Sequence, residues 1–123
     1  IGSKVTIVSY GLGVHWALDL LDNYKNQEIE IIDLNTLVPW DKELVFNSIK
    51  KTGKVLLLSE DTLFNSYLGE ISAVINEEIF EHLDAPVIRV GSLDTPVPFA
   101  KNLEEGFQAS YKLKDKLDYL LNY

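Results

Sequence analysis

No cysteine occurs in the chain, which excludes a disulfide, a thiolate nucleophile and a Cys-ligated metal, and is compatible with a cytoplasmic location. Methionine is absent as well, and the chain opens Ile-Gly-Ser-Lys one short step before an apolar run. A translation product starts with Met, so we expect residues 1–123 to be one domain cut from a longer protein. No apolar run approaches the roughly 20 residues of a membrane-spanning helix, and no signal-peptide pattern opens the chain. Positive charge is outweighed: a net charge of −8 argues against nucleic acid and anionic membrane, and favours a basic partner or plain solubility. What is present suits a packed core, with two Trp, six Tyr and five Phe in 123 residues. A chain of this length buries roughly two-thirds of its unfolded surface.

Val55 to Asp61 reads Val-Leu-Leu-Leu-Ser-Glu-Asp. Four apolar residues without alternation suit a strand covered on both faces, and the two acids fall at its carboxyl end, where ligands bind in parallel sheets. Upstream, Val5–Tyr10 is β-branched and apolar and stops at Gly11-Leu-Gly13; Ile29–Leu34 is a second such run. Between them a helix is expected from Val14 to about Tyr24, with Val14, Ala17, Leu18 and Leu21 on its inner face and a polar exit over Asn23–Gln27. Asp41 is a good N-cap for a helix from about Lys42, with Leu44, Val45, Ser48 and Ile49 inward, Lys50-Lys51 in the last turn and Gly53 as its stop. After a strand Val55–Ser59 and a polar loop Asp61–Ser66, helical spacing returns at Leu68, Ile71, Ile75 and Ile79. Pro86 introduces a short strand, Val87–Val90, and the prolines of Asp94–Phe99 exclude helix there. A last helix spans about Ser110–Leu121, with Leu113, Leu117, Leu120 and Leu121 on one side. Strands alternating with helices mean right-handed crossovers and a parallel sheet between helix layers.

Little here carries chemistry alone. Gly11-x-Gly13 opens like a dinucleotide fingerprint, but Trp16 stands where the third glycine belongs, so a structural turn is favoured. Glu60-Asp61 is an acidic pair able to bind a cation or form a phosphoacceptor pocket. That pocket also needs acids after the first strand and a Lys after the last, where Tyr10-Gly11 and Gly91-Ser92 stand. Solvation of a strand end is the favoured role. His15, in the first turn of a helix where loops gather, can touch a substrate or another domain; His82 suits a helix end. No Ser-His-Asp order, catalytic acid pair or phosphate loop stands out.

Five motifs occur together in register: Val5–Leu18 with His15, Ile31–Asp41 with Asp33, Pro39 and Trp40, Lys50–Val55 with Gly53, Asp84-Ala-Pro-Val-x-Arg89-Val, and Asp94-Thr-Pro-Val-Pro98-Phe-Ala. In this order the chain closely resembles the C-terminal domain of the beta subunit of thiamine-diphosphate-dependent 2-oxo acid dehydrogenases, a domain related to the C-terminal domain of transketolase. Pro39-Trp40-Asp41 and the closing Leu121-Asn122-Tyr123 look most like the branched-chain (2-oxoisovalerate) members. The resemblance implies a three-layer α/β/α fold with four parallel strands in order 2-1-3-4, the family's antiparallel edge strand lying before residue 1. It implies that thiamine diphosphate and Mg²⁺ sit in other domains of the enzyme, so no catalytic, cofactor or metal residue is expected in this chain. It implies an assembly role, with three partners: the alpha part of the enzyme, a second beta C-terminal domain across a two-fold axis, and the small basic subunit-binding domain of the lipoyl acyltransferase. By motif matching, Asp84 and the end of the chain at Tyr123 fall at that last contact, with Arg89 as a counter-charge orienting Asp84 and His15 a candidate interdomain contact. The alternatives are a transketolase or deoxyxylulose-phosphate synthase type of enzyme, or a free-standing binding module. Two departures stand out. Asn65-Ser66-Tyr67 replaces the family's Gly-Gly-Phe, and Ala100-Lys101-Asn102-Leu103-Glu104 replaces Ala-Pro-Pro-Leu-Glu, which implies a looser lead into the final helix.

Overall fold

The computed structural model describes residues 2–24 and 28–123. Its centre is β3 (Val55–Thr62), in which Val55, Leu56, Leu57 and Leu58 are all fully buried. Strand geometry sends alternate side chains to opposite faces. Leu56 and Leu58 therefore join one apolar cluster and Val55 and Leu57 the other. Around β3 lie β1 (Val5–Ser9), β2 (Ile29–Asp33) and β4 (Ile88–Ser92), all parallel, in the order β2-β1-β3-β4. The connecting helices are α1 (Leu12–Leu21), α2 (Lys42–Thr52) and α3 (Tyr67–Ile79), with α4 (Lys101–Phe107) and α5 (Ser110–Asn122) after β4. Residues of α1 and α5 fill the cluster on one face of the sheet, and residues of α2 and α3 the cluster on the other. Two helix layers thus sandwich the sheet. The antiparallel edge strand implied before residue 1, like residues 25–27 of the expected polar exit, falls outside the described residues.

The ends of α2 form as the sequence implies. Asp41 Oδ1 accepts the Leu44 N–H at 3.0 Å, and Gly53 ends the helix with φ 73°. Three expectations are corrected. The inner face of α1 is Gly13 and Ala17, with Trp16, Leu20 and Leu21 beside them, while Leu18 is half-exposed. Gly11 turns the chain so tightly (φ 58°) that a Cβ at Gly13 would overlap Ser9 Oγ. The helix runs too close to the sheet for a leucine to fit beneath it. In α2, Leu44 is likewise exposed and Thr52 takes its place in the buried stripe with Val45, Ser48 and Ile49. The inward hydroxyls are satisfied: Thr6 Oγ1 lies 2.7 Å from Ser48 Oγ and 2.8 Å from Thr52 Oγ1. Finally, the lead into the last helix is not loose. Residues 101–107 form α4, held by the Leu93 N–H donating to Phe107 O at 3.1 Å.

Candidate functional site

At the carboxyl end of the sheet β3 runs on to Thr62 and carries Glu60 and Asp61 into a crevice beside Trp16, Ser92 and Phe107. This crevice has a volume of about 320 Å³, and both carboxylates are exposed in it. Ser92 Oγ donates to Glu60 O at 2.7 Å, so the backbone here stitches β3 to β4. Behind the pair, the Tyr10 phenol is pushed above its ordinary pKa, first by burial and then by the charges of Asp61 and Glu60. The donor set does not fit a diphosphate: two carboxylates repel it, and the Trp16 side chain, from the second turn of α1, lines the crevice beside them. Among the described residues no three His, Asp or Glu side chains come together as metal ligands. His15 is exposed on α1, in an open hollow of about 710 Å³ shared with Leu18 and Asp33. His82 is exposed, its Nε2 at 3.7 Å from Glu81 Oε1.

A different site forms at the amino end of the sheet. The end of α3 tightens into a 3-10 turn, Phe80–His82, which throws Phe80 outward at 68% exposure. The chain then returns to the sheet: the Asp84 N–H donates to Gly53 O at 2.7 Å, and Pro86 leads into β4. From the other side α5 brings Tyr123, 59% exposed, its ring edge-on to Tyr119 at 5.6 Å. Asn76, Phe80, Asp84, Pro86 and Tyr123 line a groove of about 520 Å³. The structure therefore brings together Asp84 and Tyr123, 39 positions apart in the sequence. It does not bring Arg89 to them.

Arg89, the only arginine, pairs in register with Leu57 and reaches over α3, where a Cβ on Gly69 would lie 3.7 Å from its Nη1. Arg89 lies within β4, whereas Asp84 lies in the bend that precedes Pro86. The expected ion pair between them is not among the ion pairs of the described residues, and neither side chain has another. Asp84 is held instead by Gly53, whose missing Cβ leaves room for its carboxylate. That places an anion at the carboxyl end of α2, the negative pole of the helix dipole.

Sequence reasoning missed Phe80. A signal existed: Ile71, Ile75 and Ile79 complete the buried stripe of α3, so an aromatic at the next position has no place in the core.

Fold and site together define a parallel α/β/α domain with a surface groove at the amino end of its sheet. Residues 1–112 match the model of the family described as "Transketolase, C-terminal domain", and the chain belongs to that family. It is similar to the 2-oxoisovalerate dehydrogenase subunit beta of Bacillus subtilis, with 38% identity over 112 residues covering 89% of this chain and 34% of that protein. It is also similar to the pyruvate dehydrogenase E1 component subunit beta of Mycoplasma pneumoniae, with 38% identity over 122 residues covering 98% of this chain and 37% of that protein. The chain thus spans about a third of the curated relatives it matches. Among solved structures, one described as "Split gene transketolase, inactive beta4 tetramer" superposes with a TM-score of 0.79 at 25% identity, over 99% of this chain and 39% of that one.

Proposed function

We propose that this chain is an assembly and docking domain of the decarboxylating component of a 2-oxo acid dehydrogenase complex. In that reading the whole enzyme decarboxylates a 2-oxo acid on thiamine diphosphate and reductively acylates a lipoyl group, with the cofactor and Mg²⁺ held by other domains. The observation that carries the reading is the unpaired Asp84 carboxylate in one groove with the exposed rings of Phe80 and Tyr123. A basic partner domain matches it in charge, and the net charge of −8 steers such a partner toward the chain. The subunit-binding domain of the lipoyl acyltransferase is that partner, with Asp84 and Tyr123 at the contact.

A second surface supports assembly. Leu12, Val38, Phe64 and Phe99 are exposed, and each lies in the segment leaving a different strand. All four therefore sit toward the carboxyl end of the sheet, with His15 and Leu12 sharing one hollow, which suits a face covered by the alpha part or by a second copy across a two-fold axis.

The likeness to a transketolase favours one rival, in which the same domain serves a sugar-transferring enzyme of transketolase or deoxyxylulose-phosphate synthase type. Titrating the intact protein with purified acyltransferase subunit-binding domain separates them. The docking reading expects salt-sensitive binding that Asp84→Lys weakens by about 1–3 kcal/mol. Absence of binding, or equal binding by the Asp84→Lys variant, would sink it.

A further inference from the structure

Both walls of the groove hang on two residues outside its lining. Gly53 and Lys54 join α2 to β3. The first carries the Asp84 wall: its carbonyl accepts the Asp84 N–H at 2.7 Å, and a Cβ on it would overlap the Asp84 carboxylate. The second carries the Tyr123 wall: Lys54 Nζ donates to Leu120 O, in the last turn of α5, at 2.9 Å. The last four carbonyls of a helix have no partner within it. In α5 the Leu120 carbonyl otherwise receives only the Tyr123 N–H, at 3.3 Å. Beyond Leu120 no fully buried side chain anchors the helix, because Leu121 is only partly buried and Asn122 and Tyr123 are exposed. The backbone of Lys54 is fixed by the sheet, since its carbonyl accepts the Thr6 N–H at 2.9 Å.

We infer that Gly53 and Lys54 are the positioning pair of the docking groove: the glycine sets where the Asp84 carboxylate stands, and the lysine, by capping α5, sets how far away Tyr123 stands. The partner touches neither residue. This rests on the docking reading above, and it makes the spacing between anion and aromatic wall a property of the α2–β3 junction.

The test uses the intact protein and two readouts, affinity for the acyltransferase subunit-binding domain and amide hydrogen exchange without partner. Lys54→Met keeps the aliphatic stem and removes the donor; it is expected to speed exchange over 119–123, leave 80–87 unchanged, and weaken binding about tenfold. Lys54→Arg restores the donor and should restore both. Gly53→Ala is expected to do the reverse, speeding exchange over 80–87 while 119–123 keeps its protection. Unchanged exchange over 119–123 in Lys54→Met, or faster exchange there with undiminished affinity, overturns the inference. If Asp84→Lys binds as well as the unaltered protein, the docking reading fails alone. The split in exchange between the two walls still decides whether the pair positions them.

Discussion

Replacing Ser48 by Ala should cost more than its size suggests. Ser48 donates to Glu30 Oε2 at 2.6 Å, so its single hydroxyl proton is committed. Thr6 Oγ1, 2.7 Å away and fully buried, must then donate to Ser48, and its remaining short contact, Thr52 Oγ1 at 2.8 Å, is satisfied when Thr52 turns its proton to Thr6 rather than to the more distant Lys54 O at 3.2 Å. Three hydroxyls thus line up, Thr52 to Thr6 to Ser48, and all point at one carboxylate, which Lys51 Nζ also reaches at 2.5 Å. Burial by itself would raise the Glu30 pKa, but hydrogen bonds from Lys51 and Ser48 outweigh it and hold the carboxyl below its ordinary value. Ser48→Ala deletes a hydrogen bond to a charged group, worth about 1.5–3 kcal/mol. Thr6 can still turn to Thr52, which can donate to Lys54 O at 3.2 Å, so no second group is orphaned. A loss of about 2 kcal/mol follows at neutral pH, and Thr6→Val, which leaves the bond to Glu30 intact, should cost about half as much. A lowered folded pKa contributes stability above the unfolded value, near 4.3, and loses it as pH falls through the folded value. The difference between unaltered protein and Ser48→Ala should therefore narrow below about pH 4. Urea unfolding from pH 3 to 7 measures both. A cost below about 0.5 kcal/mol at pH 7, or a difference that does not change with pH, would refute the directed chain.

Other perturbations have expected outcomes of their own. Leu117 is fully buried between α5 and the sheet, so Leu117→Ala should lower the unfolding free energy by about 2–5 kcal/mol in denaturant titration. Tyr24 Oη donates to Asp118 Oδ1 at 2.5 Å, bridging the end of α1 to α5, and its own ionisation is pushed up, first by burial and then by that bond. Tyr24→Phe should cost about 1 kcal/mol, with exchange in α5 accelerating before the rest of the chain. Asp118 is also bonded by Lys114, and the two bonds hold its carboxyl below the ordinary range. What they contribute is present at neutral pH and fades as acid protonates Asp118, which a carboxyl-resonance titration of the unaltered protein should track.

How far the sequence could be read depended on how local each cause was. The Val55–Leu58 run, the Asp41 cap and the Gly53 stop are decided within a few residues, and all three were legible. The inner face of α1 was not, because Gly13 and Ala17 face inward for a reason set by Ser9 and Leu58, partners across the sheet. Helix α4 left little trace, since Phe107 is its only buried side chain and no apolar period can show. The groove was the least legible part. Its lining comes from the end of α3, the segment before β4 and the end of the chain after α5, while the α2–β3 junction holds it from outside, and only folding makes these neighbours. Asp84 and Tyr123 were singled out by family resemblance, whereas Phe80, Gly53 and Lys54 take their roles from tertiary contacts.

Hydrogen exchange of the intact protein with and without the acyltransferase subunit-binding domain bears most directly on where this chain does its work. Added protection over 80–87 and 119–123, with the crevice at Glu60 and Asp61 unaffected, is the predicted result. Protection confined to residues around Glu60 and Asp61, with the Asp84 groove exchanging as before, would contradict it.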